Sequence, residues 1–361
     1  MKPVIKIGCS AVLSEEDDEA VHGRHIAQAV GLAVEQANQR AEFPFELELL
    51  VGDDQAKTGP ALAVAREFIE DLQLLGVVGT MNSHTSLATA PLYNQARLAQ
   101  ISPAASNPAL TRQGIDSFFR VVPHDLYQGR EGAKYAVKVL GARRIAIIHD
   151  GGSFGEPLAA VFSQTSQELG AQVVMLRRIQ PGQHDYRQVA AEVAEVEPDL
   201  IFLGVIEAEG RHLAVQLREA GLVAPYFGTD GLKPSRFLAT PEYDVEGPYH
   251  TSASTDVRLR PSAAAFAQAY RDRYGELYSI YTAEAYDAAN ILIVACARAT
   301  RPERSLVLEQ VARTKNFSGA SGTITFDQDG DRLNPEIGMY KVSGETLEFL
   351  GYTRETVEQV E

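Results

Sequence analysis

Cysteine is scarce in this chain: Cys9 and Cys296 stand alone among 361 residues. Two cysteines so far apart make neither a disulfide framework nor a zinc site. They admit a single bridge, which sequence does not decide, and two buried free thiols are the expectation. Long apolar runs are also missing. A membrane span needs about 18 such residues, and the richest stretch, residues 285–299, is interrupted by Asp287, Asn290 and Arg298. An excess of positive charge is absent too. With 33 Lys and Arg against 48 Asp and Glu, the net charge is −15. That argues against a nucleic-acid partner, which needs a basic face. Neither a Walker A motif nor G-x-G-x-x-G occurs, so no cofactor is expected. The opening MKPVIKIG is strand-like and is no signal peptide. Either the protein is cytoplasmic, or its signal is absent from this chain.

What is present is an ordinary globular composition, with 45% apolar and 22% charged residues. The length suits two domains or one long α/β domain. Strand patterns at residues 4–8, 46–51, 74–79 and 98–102 alternate with helical spacing. The helices fall at 26–40, at Thr58-Gly59-Pro60 onward, and at 85–96. The pattern restarts with a helix at 126–140. Strands at 144–149, 171–176, 200–204 and 225–228 then alternate with helices at 156–169, 186–196 and 208–220. Such winding predicts α/β lobes on parallel sheets covered on both faces. The tail, with helices near 261–274, 282–299 and 303–314 and strands near 322–326 and 336–342, is too short for a third lobe.

Ligands gather beyond the carboxyl ends of the strands of such sheets. Three turns there carry polar chemistry. Residues 79–84 (GTMNSH) open a helix with Asn82 and Ser83, where unpaired amides attract an anion. An ordinary helix cap is the plainer account. Residues 100–111 (QISPAASNPALT) bring Ala104, Ser106 and a capping Asn107-Pro108 to the next strand end. Residues 228–231 (GTDG) place Asp230 in the second winding. A carboxylate on one side and hydroxyl-bearing helix starts on the other suit a zwitterion, such as a free amino acid.

Other motifs read as weaker. Gly151-Gly152-Ser153-Phe154-Gly155 matches the G-x-S-x-G nucleophile elbow, with Asp230 and His250 further on, but no HGGG-type oxyanion segment precedes it. A Ser153-based hydrolase is the enzymatic alternative, and a non-enzyme is the reading. His22-x-x-His25 has metal-pair spacing without a completing ligand. Asp327-x-Asp329-x-Asp331 lacks the glycine and glutamate positions of a calcium loop, so no metal site is expected. Residues 15–19 (EEDDE) read as a solvated loop.

The stretch VVGTMNSHTSLATAPLYNQARLAQISPAASNPALT resembles the core of the leucine/isoleucine/valine-binding protein family. These are type I periplasmic substrate-binding proteins of ABC transporters. RIAIIHDGGSFGEPL, PYFGTDG, YTAEAYDAANIL and GTITFDQDGDRLNP extend the resemblance over nearly the whole chain. It implies two doubly wound α/β lobes joined by three hinge crossovers, residues 1–122 plus 252–328 and residues 123–251 plus 329–361. It implies an amino acid held between them, more apolar or branched-chain than charged, with an amide- or urea-type ligand as the alternative. Ser83 and Ser106 match positions that hold the α-carboxylate. Ala104, through its carbonyl, with Ser106 and Asp230, matches those holding the α-ammonium. Asp230 is one methylene shorter than the family's usual glutamate. Phe154 and Ile206 stand where leucine-type members carry tyrosine, and His22 falls near another such position. Phe154 and Ile206 favour an apolar side chain, whereas His22 and Glu207 would allow a polar one. The paired cysteines of some relatives fall at about Ala56 and Asn82, so that bridge is absent. The resemblance further implies a monomer that meets a transporter permease, in the periplasm or lipid-anchored outside the cell. A regulator's effector lobe is disfavoured, because no helix-turn-helix or basic patch accompanies it.

Overall fold

A computed structural model describes residues 2–14, 18–152, 154–232, 248–254, 256–275, 279–343 and 346–359, with backbone alone at Asp18, Glu207 and Ala208. The chain divides into two compact units, Met1–His124 with Ser254–Pro335, and Asp125–Ala253 with Glu336–Glu361. It therefore passes between them three times.

The first unit is built on β1 (Val4–Ala11), β2 (Glu46–Asp53), β3 (Leu74–Val78), β4 (Ala99–Ser102) and β5 (Phe118–Arg120). All pairs are parallel, in the order β2-β1-β3-β4-β5. β3 and β4 are buried at every position, as expected of inner strands with helices on both faces. The edge strand β2 instead shows Glu46 and Glu48 to solvent. Helices α1 (Asp18–Asn38), α2 (Thr58–Glu70) and α3 (Ser83–Gln95) follow the first three strands in the βα pattern. The helix Thr282–Arg298 comes from the later segment. Its Ala285, Ala288, Ala289 and Leu292 join Ala29, Val30 and Ala33 of α1 in one core. Asp287, which breaks this helix's apolar run, accepts bonds from Ala320 N (2.7 Å), Ser321 N (2.7 Å) and Ser321 Oγ (2.6 Å). It thus fastens the turn between the paired strands Phe317–Gly319 and Gly322–Ile324. Burial pushes its pKa up to about 6. Cys9 and Cys296 are both free and buried, and burial pushes each thiol up to about 12.

The second unit carries β6 (Arg144–His149), β7 (Gln172–Arg178), β8 (Leu200–Gly204), β9 (Tyr226–Gly228) and β10 (Pro248–Ser252). They lie in the order β10-β9-β8-β6-β7 and pair in parallel. Beyond β10 come Gly338–Ser343 and Thr346–Tyr352, both paired antiparallel. This edge departs from the wholly parallel sheet expected. Two strands joined through only two residues must run antiparallel. Helices α4 (Asp125–Lys134), α5 (Gly155–Glu168), α6 (Arg187–Glu195) and α7 (Glu207–Glu219) complete the unit. The single helix expected over 126–140 is α-helical only to Lys134. It then widens into a π turn, Tyr135–Val139, where the Leu140 amide donates to the Tyr135 carbonyl at 3.1 Å.

His250 sits in β10 opposite Tyr340, its ring stacked on the phenol with centroids 5.2 Å apart. Burial pulls its pKa down to about 4. The unfolded chain takes up this proton near pH 6.5, and the folded chain does so only near 4. Stability from this group is therefore complete above about pH 6.5 and is lost as pH falls through about 4. The expected loss over that window is about 3 kcal/mol. Urea unfolding at pH 7, 5.5 and 4 should show a smaller acid loss in His250→Phe than in the wild type. Equal losses would contradict this assignment.

Candidate functional site

The turns beyond the carboxyl ends of β3 and β4 are tied to each other. The Ser102 hydroxyl donates to the Thr80 carbonyl (2.8 Å) and accepts from the amides of Ala104 (3.3 Å) and Ala105 (2.9 Å). Thr80 in turn bonds the hydroxyls of Ser86 (2.8 Å) and Thr85 (2.7 Å). Ser83, the first residue of α3, accepts the Asn107 amide at 3.2 Å, which leaves its hydroxyl proton to donate. Asn82 caps α3 without a side-chain cap bond, and no acidic residue occupies the first turn. The Asn82 amide group instead reaches Glu19 Oε2 at 3.4 Å. Asn107 accepts the Ala109 amide at 2.8 Å, the cap expected before Pro108. Asn82, Ser83, Ala104 and Ser106 are thus brought together. Ala104 is buried and Ser106 half-buried.

The residue that holds this loop was not singled out in the sequence. The Arg120 side chain is fully buried at the end of β5. Its guanidinium donates to the carbonyls of Ala105 (3.2 Å) and Asn107 (2.8 Å), on either side of Ser106. It also donates to Asp331 Oδ1 (2.6 Å) and to the Thr111 hydroxyl (2.9 Å). Thr111 donates on to Asp331 Oδ2 at 3.0 Å. Asp331, the last aspartate of the calcium-like motif, therefore serves an arginine. Asp327 Oδ1 accepts the amides of Asp329 and Asp331, both at 2.9 Å, and so shapes that turn. The signal available in sequence was an arginine inside the apolar run FFRVV, a position that requires partners.

In the second unit, the turns after β6, β8 and β9 meet around Gly231. A Cβ built there would lie 2.6 Å from the Phe154 ring and 3.4 Å from the Val205 carbonyl. Only glycine admits so close an approach. It places Phe154, at the start of α5, beside the Asp230 turn, with Ile206 one residue beyond Val205. Phe154 is half-buried against the core, whereas Ile206 is 50% exposed, unusual for so apolar a residue. Asp230 opens a short 3-10 turn and accepts the Gln128 side-chain amide at 3.2 Å. Asp150 accepts the Gly152 amide at 2.7 Å and shapes the glycine turn before α5. Burial lowers the pKa of neighbouring His149. Ser153 and the Glu207 side chain lie outside the described residues.

His22 is a half-buried residue of α1 whose Nδ1 is bonded to the Ser279 hydroxyl. His25 Nδ1 meets the Tyr270 hydroxyl at 2.6 Å. Each histidine of the H-x-x-H pair thus serves its own hydroxyl partner. Among the described residues, no group of three or more His, Cys, Asp or Glu could hold a metal ion.

Each unit is a wound α/β sheet with polar turns at its strand ends, a fold that alone does not name a function. The periplasmic binding protein family matches residues 4–346, and the chain belongs to it. It is 26% identical over 323 residues to Leu/Ile/Val-binding protein homolog 1 of Brucella suis, covering 89% of this chain and 86% of that one. It is 27% identical over 335 residues to homolog 2 of Brucella abortus, covering 92% and 89%. The crystal structure of a leucine binding protein, LivK, of Thermotoga maritima matches with a TM-score of 0.81 at 26% identity, covering 96% and 98%. The resemblance read from the sequence holds over the chain.

Arg120→Met removes the side-chain bonds to the Ala105 and Asn107 carbonyls and strips Asp331 of its cation. Breaking such a pair is expected to cost about 3–5 kcal/mol in urea unfolding at pH 7. A change within the about 0.5 kcal/mol typical of surface substitutions would contradict the role given to Arg120.

Proposed function

We propose that this protein is a solute receptor of an ABC transporter and that it takes a free α-amino acid with an apolar side chain. The observation that carries this reading is the chemistry of the two strand-end clusters. In one, the Ser83 hydroxyl keeps a proton to donate beside an α3 start without a side-chain cap. Ser106 sits on a loop fixed by Arg120. In the other, Asp230 offers a carboxylate beside the apolar Phe154 and Ile206. The first set suits the ligand's α-carboxylate and the second its α-ammonium and side chain, with Ala104 supplying a carbonyl acceptor. Asn82, His22 and Glu207 are assigned to the margin of the pocket. The relatives named for leucine, isoleucine and valine support an apolar ligand.

In this reading, the three passages of the chain act as hinges and binding is a population shift toward a closed form. A permease recognises that form, and the protein works as a monomer in the periplasm or on a lipid anchor outside the cell. It binds its ligand and does not transform it.

Thermal shift against the common L-amino acids checks the ligand class. Saturation at a thousand times Kd adds about 4 kcal/mol of stability, so at least one apolar member should raise Tm by several degrees. A flat panel would remove the amino-acid reading and favour an amide- or urea-type ligand. Calorimetry of Asp230→Ala checks the ammonium partner. Its affinity should fall by about 2–5 kcal/mol, as when one member of a buried charge pair is removed. Unchanged affinity would show that no ammonium meets Asp230.

A further inference from the structure

We infer that Gln128 of α4 is a positioning residue that fixes the Asp230 carboxylate for an amine-bearing ligand, an inference that rests on the amino-acid reading above. Gln128 is buried, 1% exposed, within α4. Its Nε2 donates to Asp230 Oδ1 at 3.2 Å and to the Thr251 carbonyl of β10 at 3.3 Å. Both neighbours are acceptors, and an amide nitrogen carries two hydrogens, so only the nitrogen can face them. The amide thereby ties the turn after β9 to the adjacent strand β10. The turn is also closed by Leu232 N donating to the Thr229 carbonyl at 3.0 Å.

The sequence of α4 makes this reach possible. Gln128 and Gly132 are four residues apart and share one helix face. A Cβ at Gly132 would lie 3.0 Å from the Phe227 ring of β9 and 3.6 Å from Thr251 Cγ2. Glycine at 132 therefore lets α4 settle onto the same two strands, and Gln128, one turn earlier, meets the carboxylate beyond them. Once Nε2 is committed, the amide oxygen Oε1 is buried with no hydrogen-bond partner among the described residues. It places a second acceptor near Asp230, and acceptors gathered in this way favour a cationic N–H group over an anion or a hydrocarbon. The ligand selected through this pair is one with a protonated amine.

The test uses the amino acid returned by the thermal-shift panel and its deaminated counterpart. For L-leucine this is 4-methylpentanoate, in which hydrogen replaces the ammonium. Gln128→Met keeps the length of the side chain and removes its polar atoms. Affinity for the amino acid should fall roughly ten- to a hundredfold, the scale of one hydrogen bond to a charged group. Affinity for the deaminated acid should not change. In the Asp230→Ala background, Gln128→Met should cause no further loss, because the two residues act as one unit. A general packing defect would instead weaken both ligands alike and add to the Asp230→Ala loss. Either that result or an unchanged Gln128→Met would overturn the inference while leaving the amino-acid reading in place. A wild type that binds the deaminated acid as tightly as the amino acid would overturn the reading of Asp230, and this inference with it.

Discussion

The loop after β4 depends on a buried cation. Arg120 sits at the end of β5 with its side chain out of solvent, a position that is costly unless every donor is used. Its guanidinium spends those donors on the carbonyls of Ala105 and Asn107, on Thr111 and on Asp331. A proline- and alanine-rich segment has few side chains with which to hold itself, so a planar fork supplies the order from outside. Ser106 lies between the two clamped carbonyls. Ser102, at the end of β4, and Ser83, at the start of α3, brace the same loop. The backbone on either side of Ser106 is therefore held by a network that reaches as far as residue 331.

The second cluster is held by close approach as well as by charge. Gly231 gives up a side chain so that the Phe154 ring can lie against the Asp230 turn. Gln128 then fixes the carboxylate itself. Under the proposed function, both clusters share one logic, in which a polar group assigned to the ligand is oriented by a partner behind it. In the first the supporting partner is an arginine, and in the second a neutral amide. The difference suits the chemistry assigned to each: an arginine beside Asp230 would cancel the charge needed for an ammonium, whereas an amide orients that charge without neutralising it.

Much of the fold was legible because inner strands of a parallel sheet must be apolar runs and the covering helices must repeat every three to four residues. LLGVV and LIFLG could hardly be anything else, and β3 and β8 are buried throughout. Some short or partly polar strands were not legible, although the three-residue β9 was. β5 has three residues, and β10 begins with a proline and contains His250. Thr346–Tyr352 is a half-exposed edge whose pairing depends on the neighbouring strand. Strand-end turns could be located from glycine and hydroxyl residues, so Ser83, Ser106 and Asp230 stood out. Their supports did not, because the bonds that define them span 211 residues for Arg120–Asp331 and 102 for Gln128–Asp230. Local pattern carries no information at that range. His22 and His25, set aside as a metal pair in the sequence, each bond a different hydroxyl.

The proposed function requires that a single zwitterion meet both sets of groups, which have opposite preferences. A crystal structure of the protein with the most stabilising amino acid tests it most directly. The account predicts the α-carboxylate at the Ser83 and Ser106 hydroxyls and the α-ammonium within hydrogen-bond distance of Asp230. A ligand whose carboxylate lies away from both serines, or whose amine has no contact with Asp230, would contradict it.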